Sequence, residues 1–257
     1  MLADSHCHTL DSRLVHRADE IVSCLKDDGL EFIVEISADP QESCGAVEFA
    51  DTHDNVYCTI GVHPHCAREY SDEFERWALS QKSAKVIAVG ECGLDYHYPD
   101  GAPKELQKEA FTRQIRLADK LKLPLVVHTR DAFEDTLAIL VENKKYIRNG
   151  ILLHCFSEGA NEVERIQKHF SSYFAFGGAI TYKNNKISNG AIRAVPLDRL
   201  LVETDAPYLS PEPLRGKINE PKNVRLVAEH IARVLELPFE DIAKATLENT
   251  KRFFRLT

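Results

Sequence analysis

Eight short apolar runs recur along this chain at intervals of roughly 25 to 30 residues, and the segments between them carry a helical rather than an extended period. The runs are Leu2-Ala3, Phe32 to Ile36, Val56 to Val62, Val86 to Val89, Leu125 to Val127, Ile151 to Leu153, Tyr173 to Phe176 and Leu200 to Val202. Between them, apolar residues fall three, four and seven apart, as in Ala18, Ile21, Val22 and Leu25, or in Phe111, Ile115 and Ala118. Strand followed by helix, repeated eight times, predicts the α/β class and a single (β/α)8 TIM barrel, a fold of typically about 250 residues. The chain has 257, and Val224, Val227, Ala228, Ile231 and Val234, with the segment after Pro238, predict additional C-terminal helices. With no Gly/Ser/Pro-rich linker, low-complexity tract or charge block, one domain over residues 1–257 is expected. A two-domain doubly wound sheet is the rival, but no strand is followed by GxGxxG or a P-loop.

In such a barrel the C-terminal ends of the strands face one mouth, so what terminates each apolar run matters. His6 and His8 follow the first run, His63 and His65 the third, Glu91 the fourth, His128 the fifth, His154 the sixth and Asp205 the eighth. In an extended strand His6 and His8 share a face while Cys7 points away, and Cys92 and Cys155 are likewise expected to pack behind the site. Asp4 shares the parity of the two histidines and is expected to hold one of them by its second ring nitrogen. His6, His8, Glu91, His128, His154 and Asp205 are too many ligands for one tetrahedral ion and suit two, with Glu91 as the bridge. Imidazole and carboxylate together admit Zn2+, Mn2+, Fe2+, Co2+ or Ni2+, and Mg2+ is common where phosphate is handled. Two ions about 3.5–4 Å apart hold a bridging hydroxide and clamp a phosphoryl or acyl ester, which is hydrolysis. Glu91 and Asp205 are the candidate catalytic carboxylates, with Asp205 also able to orient the proton of the attacking water. Glu203, of the same parity, either supports Asp205 or makes a barrel salt bridge.

Seven cysteines with no CxxC pair give neither a disulfide framework nor a zinc knuckle. The chain passes almost at once from Met1 to polar Asp4-Ser5-His6, and no apolar run approaches a membrane span, so a cytoplasmic protein is expected. A net charge of −8 argues against coating a nucleic acid backbone by counterion release. It leaves open an enzyme whose bound cations reverse the sign of a small pocket.

Seven motifs, in order, resemble the TatD family of metal-dependent nucleases: Asp4-Ser5-His6-Cys7-His8, Gly61-Val62-His63-Pro64-His65, Gly90-Glu91-Cys92-Gly93-Leu94-Asp95-Tyr96, His128-Thr129-Arg130-Asp131, His154-Cys155-Phe156-Ser157, Glu203 to Leu209, and Arg215-Gly216-Lys217 with Asn219-Glu220-Pro221. The resemblance implies a two-metal centre on the six ligands, and deoxyribonuclease activity, often as a 3′→5′ exonuclease on single-stranded DNA. It departs from the family pattern at His97-Tyr98-Pro99, where an arginine is usual nearby, and at the acidic Glu158. His63 and His65, lacking a carboxylate counterpart for a third ion, are expected to contact phosphate or leaving group, or to be structural. Arg130, with the basic group Arg215, Lys217, Lys222 and Arg225, is a candidate for a backbone groove, those four being otherwise a solvated face, and Tyr96, Tyr98 and Phe156 are candidates for base stacking over the mouth or for packing their loops. The alternative chemistry is amidase, lactonase or deacylase action on the same barrel. There a lysine often bridges from the fourth strand, whereas here Glu91 occupies that place and Lys85 precedes the strand. A non-catalytic metal-binding barrel is opposed by the intact ligand set. No membrane or obligate protein partner is implied.

Overall fold

Polar side chains do not stop a β-ladder, which is a backbone structure, and three strands therefore end later than their apolar runs. In the computed structural model, which describes residues 1–256, the strands are β1 (Leu2–Cys7), β2 (Leu30–Glu35), β3 (Val56–Ile60), β4 (Val86–Asp95), β5 (Leu125–Arg130), β6 (Ile151–Leu153), β7 (Tyr173–Phe176) and β8 (Leu200–Val202). Thus β1, β4 and β5 carry His6, Glu91 and His128 within the ladder rather than after it. The α-helices are α1 (Ala18–Cys24), α2 (Pro40–Asp51), α3 (Asp72–Ser80), α4 (Lys104–Leu121), α5 (Phe133–Glu142), α6 (Ala160–Gln167), α7 (Ile187–Ala194), α8 (Val224–Leu235) and α9 (Phe239–Phe254). The strands form one eight-stranded sheet in chain order, β1 to β8, the (β/α)8 barrel that the repeat predicts.

The chain divides into two compact units. One holds residues 1–35 and the described residues from 155 onward, and contains β7, β8, β1 and β2. Phe174 pairs with Leu200, Phe176 with Val202, and Asp4 with Ile33, all in parallel register. A parallel bridge from Cys7 to Ala206 joins β1 to the segment leaving β8. Helix α8 buries Val224, Val227, Ala228, Ile231 and Val234, the predicted stripe, and α9 follows after Pro238. The other unit, residues 36–154, contains β3 to β6, with Ile60 opposite Val89, Gly93 opposite His128 and Val127 opposite Leu153. Two of its helices begin on side-chain caps: Asp39 accepts from the Glu42 N–H at 2.8 Å with Pro40 at the first helical position of α2, and Ser71 accepts from the Phe74 N–H at 3.2 Å at the start of α3.

Within each unit the strands are buried on both faces, as parallel strands covered by helices are. Ile33, Phe174, Phe176 and Leu201 in the first unit, and Ile60, Val89, Val127 and Leu153 in the second, are fully buried. Each such side chain contributes about 1.5–3 kcal/mol by leaving water. No helix among the described residues is long and apolar enough to cross a membrane.

Candidate metal centre

In the first unit, strand alternation puts the rings of His6 and His8 on one side, 5.1 Å apart, while Cys7 turns its Sγ to the Val34 carbonyl at 3.5 Å. Asp205 follows β8 in the left-handed region, at φ +56°, a conformation that aspartate tolerates better than most residues. Its N–H donates to the His6 carbonyl at 2.9 Å and the His8 N–H to the Ala206 carbonyl at 2.7 Å, so backbone bonds tie the carboxylate to the two imidazoles. Asp205 Oδ1 stands 3.6 Å from His6 Nε2 and 3.5 Å from His8 Nε2. Metal bonds of about 2.1 Å set neighbouring ligand atoms about 3.0–3.4 Å apart, so this slightly wider triad would hold an ion after a small closure.

Asp4 does not hold a histidine ring, contrary to its expected role. It accepts from the Thr204 hydroxyl, from the Thr204 N–H at 2.9 Å and from the His6 N–H at 3.2 Å, bracing the backbones of β1 and the segment after β8. Its pKa is driven up by burial, which outweighs those three bonds. Glu203 accepts from the Cys155 N–H at 2.6 Å and so holds a backbone turn in place. A carboxylate that the motifs passed over, Glu35 at the end of β2, accepts from Thr9 N–H at 2.8 Å, the Thr9 hydroxyl and Leu10 N–H at 3.1 Å, fixing the chain just beyond His8. Burial raises its pKa to about 7 against the pull of those donors and of His8.

In the second unit, Glu91 Oε1 lies 2.7 Å from both His128 Nδ1 and His154 Nε2, and those nitrogens are 3.2 Å apart. Three acceptor-type atoms so close need a proton or a cation among them. Burial alone would depress the His128 pKa, but the bonds to Asp95 and Glu91 raise it. The donor set and its spacing fit a divalent ion. Gly93, at φ +142°, lets β4 approach β5 here, because a Cβ at that position would collide with the His128 carbonyl oxygen.

Asp95 supplies the carboxylate that His63 and His65 were expected to lack. Its Oδ2 is 3.0 Å from His128 Nε2 and 3.3 Å from His65 Nε2, while Oδ1 accepts from the His97 N–H at 2.9 Å. Burial pushes the Asp95 pKa up, yet the His128 and His97 bonds and the nearby imidazole charges hold it well below the usual range. A carboxylate only accepts, so His128 Nε2 carries a proton and Nδ1 is the atom presented towards Glu91. His63 Nδ1 accepts from the His65 N–H at 3.1 Å, which leaves the proton on Nε2; burial lowers its pKa to about 3, so it is a neutral donor. Its Nε2 is 3.8 Å from Glu91 Oε1. Two buried glutamines of α4 set these strand ends. Gln107 exchanges hydrogen bonds with the Asp95 N–H and carbonyl, each at 2.9 Å, and Gln114 does the same for Val62 at 2.8 and 2.9 Å.

The remaining predicted contacts divide. Tyr98 is exposed, edge-on to His65, with Arg130 over its ring at 5.1 Å. Tyr96 donates to Asp135 at 2.7 Å and carries Lys104 over its ring, so it secures its loop. Phe156, 2% exposed, is core rather than rim, packed against Phe174 and Phe176. Arg215 lies over Tyr182, whereas Lys222 and Arg225 pair with Glu220 at 2.8 Å and Glu229 at 2.9 Å, the solvated reading of those two.

A family model described as TatD related DNase matches residues 3–255. The chain belongs to the TatD family. Similar to this TatD family protein are the uncharacterized metal-dependent hydrolase YabD of Bacillus subtilis (strain 168), 42% identical with 100% of both chains covered, and the uncharacterized metal-dependent hydrolase YcfH of Escherichia coli (strain K12), 37% identical over 99% of this chain and 96% of the other. The human 3′-5′ RNA nuclease TATDN2 is 37% identical over 79% of this chain but only 27% of its own length. The crystal structure of YJJV, a TatD homolog from Escherichia coli K12, superposes with a TM-score of 0.91 at 27% identity, covering 100% of this chain and 98% of that one. This TatD family protein is a metal-dependent hydrolase.

Proposed function

We propose that this protein is a nuclease that hydrolyses phosphodiester bonds of DNA, working from the 3′ ends of single strands with two divalent ions, Mg2+, Mn2+ or Zn2+. The observation that carries the reading is a pair of ligand groups, His6 with His8 and Asp205, and Glu91 with His128 and His154, in which carboxylate and imidazole atoms stand 2.7 to 3.6 Å apart. When bound, such ions supply Lewis acidity at a phosphoryl oxygen and a water that ionises near neutral pH.

The chain's own residues do the rest. Asp205 and Glu91 accept and pass on the proton of the attacking water. His63 donates its Nε2–H to a phosphoryl or leaving-group oxygen, and because it stays neutral it adds no charge to compete with the cations. His65 is a second donor from the same turn; Arg130 and Tyr98 in the one unit, and Arg215 in the other, are the further candidates for contact with the strand. Neutral imidazole donors beside the ligand groups, with Glu91 where such enzymes often carry a bridging lysine, suit a phosphodiester better than the acyl substrates of an amidase, lactonase or deacylase. Seven cysteines with no CxxC pair suit the cytoplasm, where thiols stay reduced.

RNA is the second reading, favoured by the name of the human relative. Labelled single-stranded DNA and RNA of one sequence, incubated with chelated protein and then with each ion, decide between them. The DNA reading expects ion-dependent shortening from the 3′ end of the DNA with little of the RNA lost. Preference for RNA replaces it with the second reading, and hydrolysis that survives exhaustive chelation removes both.

A further inference from the structure

Tyr208 is 45% exposed, yet it is held from several directions, an unusual arrangement for an aromatic ring left in water. The guanidinium of Arg13 lies over its face with Cζ 4.2 Å from the ring centroid. Asp11 ties the two together, accepting from Arg13 Nε at 2.8 Å, from Nη2 at 3.0 Å and from the Tyr208 hydroxyl at 3.2 Å. The ring stands edge-on to His8, with centroids 6.0 Å apart at 87°. Its backbone is equally fixed. The Tyr208 N–H closes a turn onto the Asp205 carbonyl at 2.8 Å, and Asn219, buried, donates to the carbonyls of Tyr208 and Thr204 at 2.8 and 2.9 Å. The Asn219 motif thus fixes the distance along the chain from a metal-ligand candidate to an exposed ring. Packing alone does not account for this, because the ring is left 45% exposed while two charged residues, Asp11 and Arg13, are engaged in orienting it.

From this geometry we infer that Tyr208 and Arg13 form a stacking platform for a nucleobase of the strand beside the His6, His8 and Asp205 group. The inference rests on the nuclease reading. Planar π-faces and guanidinium planes take any base, so the platform gives affinity without sequence preference. Tyr98 under Arg130, edge-on to His65, is built in the same way.

The test compares an oligothymidylate with an abasic phosphodiester chain of the same length, measuring kcat/KM with Mn2+ and fluorescence anisotropy with Ca2+. Wild type is expected to prefer the base-bearing chain. Tyr208→Ala loses about 5- to 100-fold on that chain alone, and Tyr208→Trp retains the preference. Arg13→Ala, at an exposed position, reads the same ratio should Tyr208→Ala fail to fold. Equal losses on both chains, or a loss on neither, overturn the platform while leaving the nuclease reading in place. A wild type that neither cleaves nor binds either chain overturns the nuclease reading and the platform with it.

Discussion

Asp95 accepts from His128 at 3.0 Å between Oδ2 and Nε2, and by fixing that proton it decides which nitrogen His128 turns to Glu91. Replacing the carboxylate by an amide lets either ring tautomer persist. Asp95→Asn is expected to weaken divalent-ion affinity about 10- to 100-fold, with the fold retained. Chelator competition checks the affinity and circular dichroism the fold. An affinity within twofold of wild type would count against the role given to Asp95.

Asp95 also marks where the sequence stops being legible. The strands announce themselves by apolar runs and the six ligand candidates by ending them, so parity suffices. Asp95 carried a signal too: it shares the face of Glu91 in an unbroken strand, four residues on. The apolar run gives it no role, because the run ends at Val89 and the ladder does not. Phe156 differs from its expected place for the converse reason. A residue in a loop can point outward or inward, and only the neighbouring rings of β7 show that this one points in. Glu35, Gln107 and Gln114 act on backbone groups, which leave no trace in the partner's sequence.

Gln114 is the case with the cleanest energetic consequence. Its amide satisfies the N–H and carbonyl of buried Val62, the residue before His63. Gln114→Met keeps the volume and removes both partners, leaving two buried polar groups that cost about 1–3 kcal/mol each. Urea unfolding is expected to show a loss of about 2–5 kcal/mol. A loss below about 1 kcal/mol would mean that the strand end holds itself.

Glu35 makes the stability of the metal-free protein depend on pH. Its folded pKa, about 7, lies above the unfolded value of 4.5, so the folded state binds the extra proton between those limits. The contribution is fully present below about pH 4.5 and is lost as pH rises through about 7, amounting to about 3 kcal/mol at 1.36 kcal/mol per unit. Glu35→Gln abolishes this slope, whatever it does to stability at a single pH. Unfolding free energies of chelated wild type and variant, taken from pH 5 to 8, test it. Parallel profiles would refute the assignment.

His63 is expected to act as a neutral donor, and its tautomer makes that testable apart from its charge. The His65 N–H occupies Nδ1, the proton sits on Nε2, and burial keeps the ring from ionising until about pH 3. Protonation of this residue therefore adds no limb to the rate profile between pH 5 and 8. His63→Ala removes the donor and is expected to lower kcat about 100- to 1000-fold, the range for loss of one preorganised hydrogen bond to a developing anion. His63→Gln places an N–H near the same point and should recover part of that loss, although it gives up the acceptor for His65. Ion affinity should be little changed in either variant, because this nitrogen carries its proton and cannot also bind a metal. A His63→Ala protein that binds ions as weakly as Asp95→Asn would show instead that His63 is a ligand.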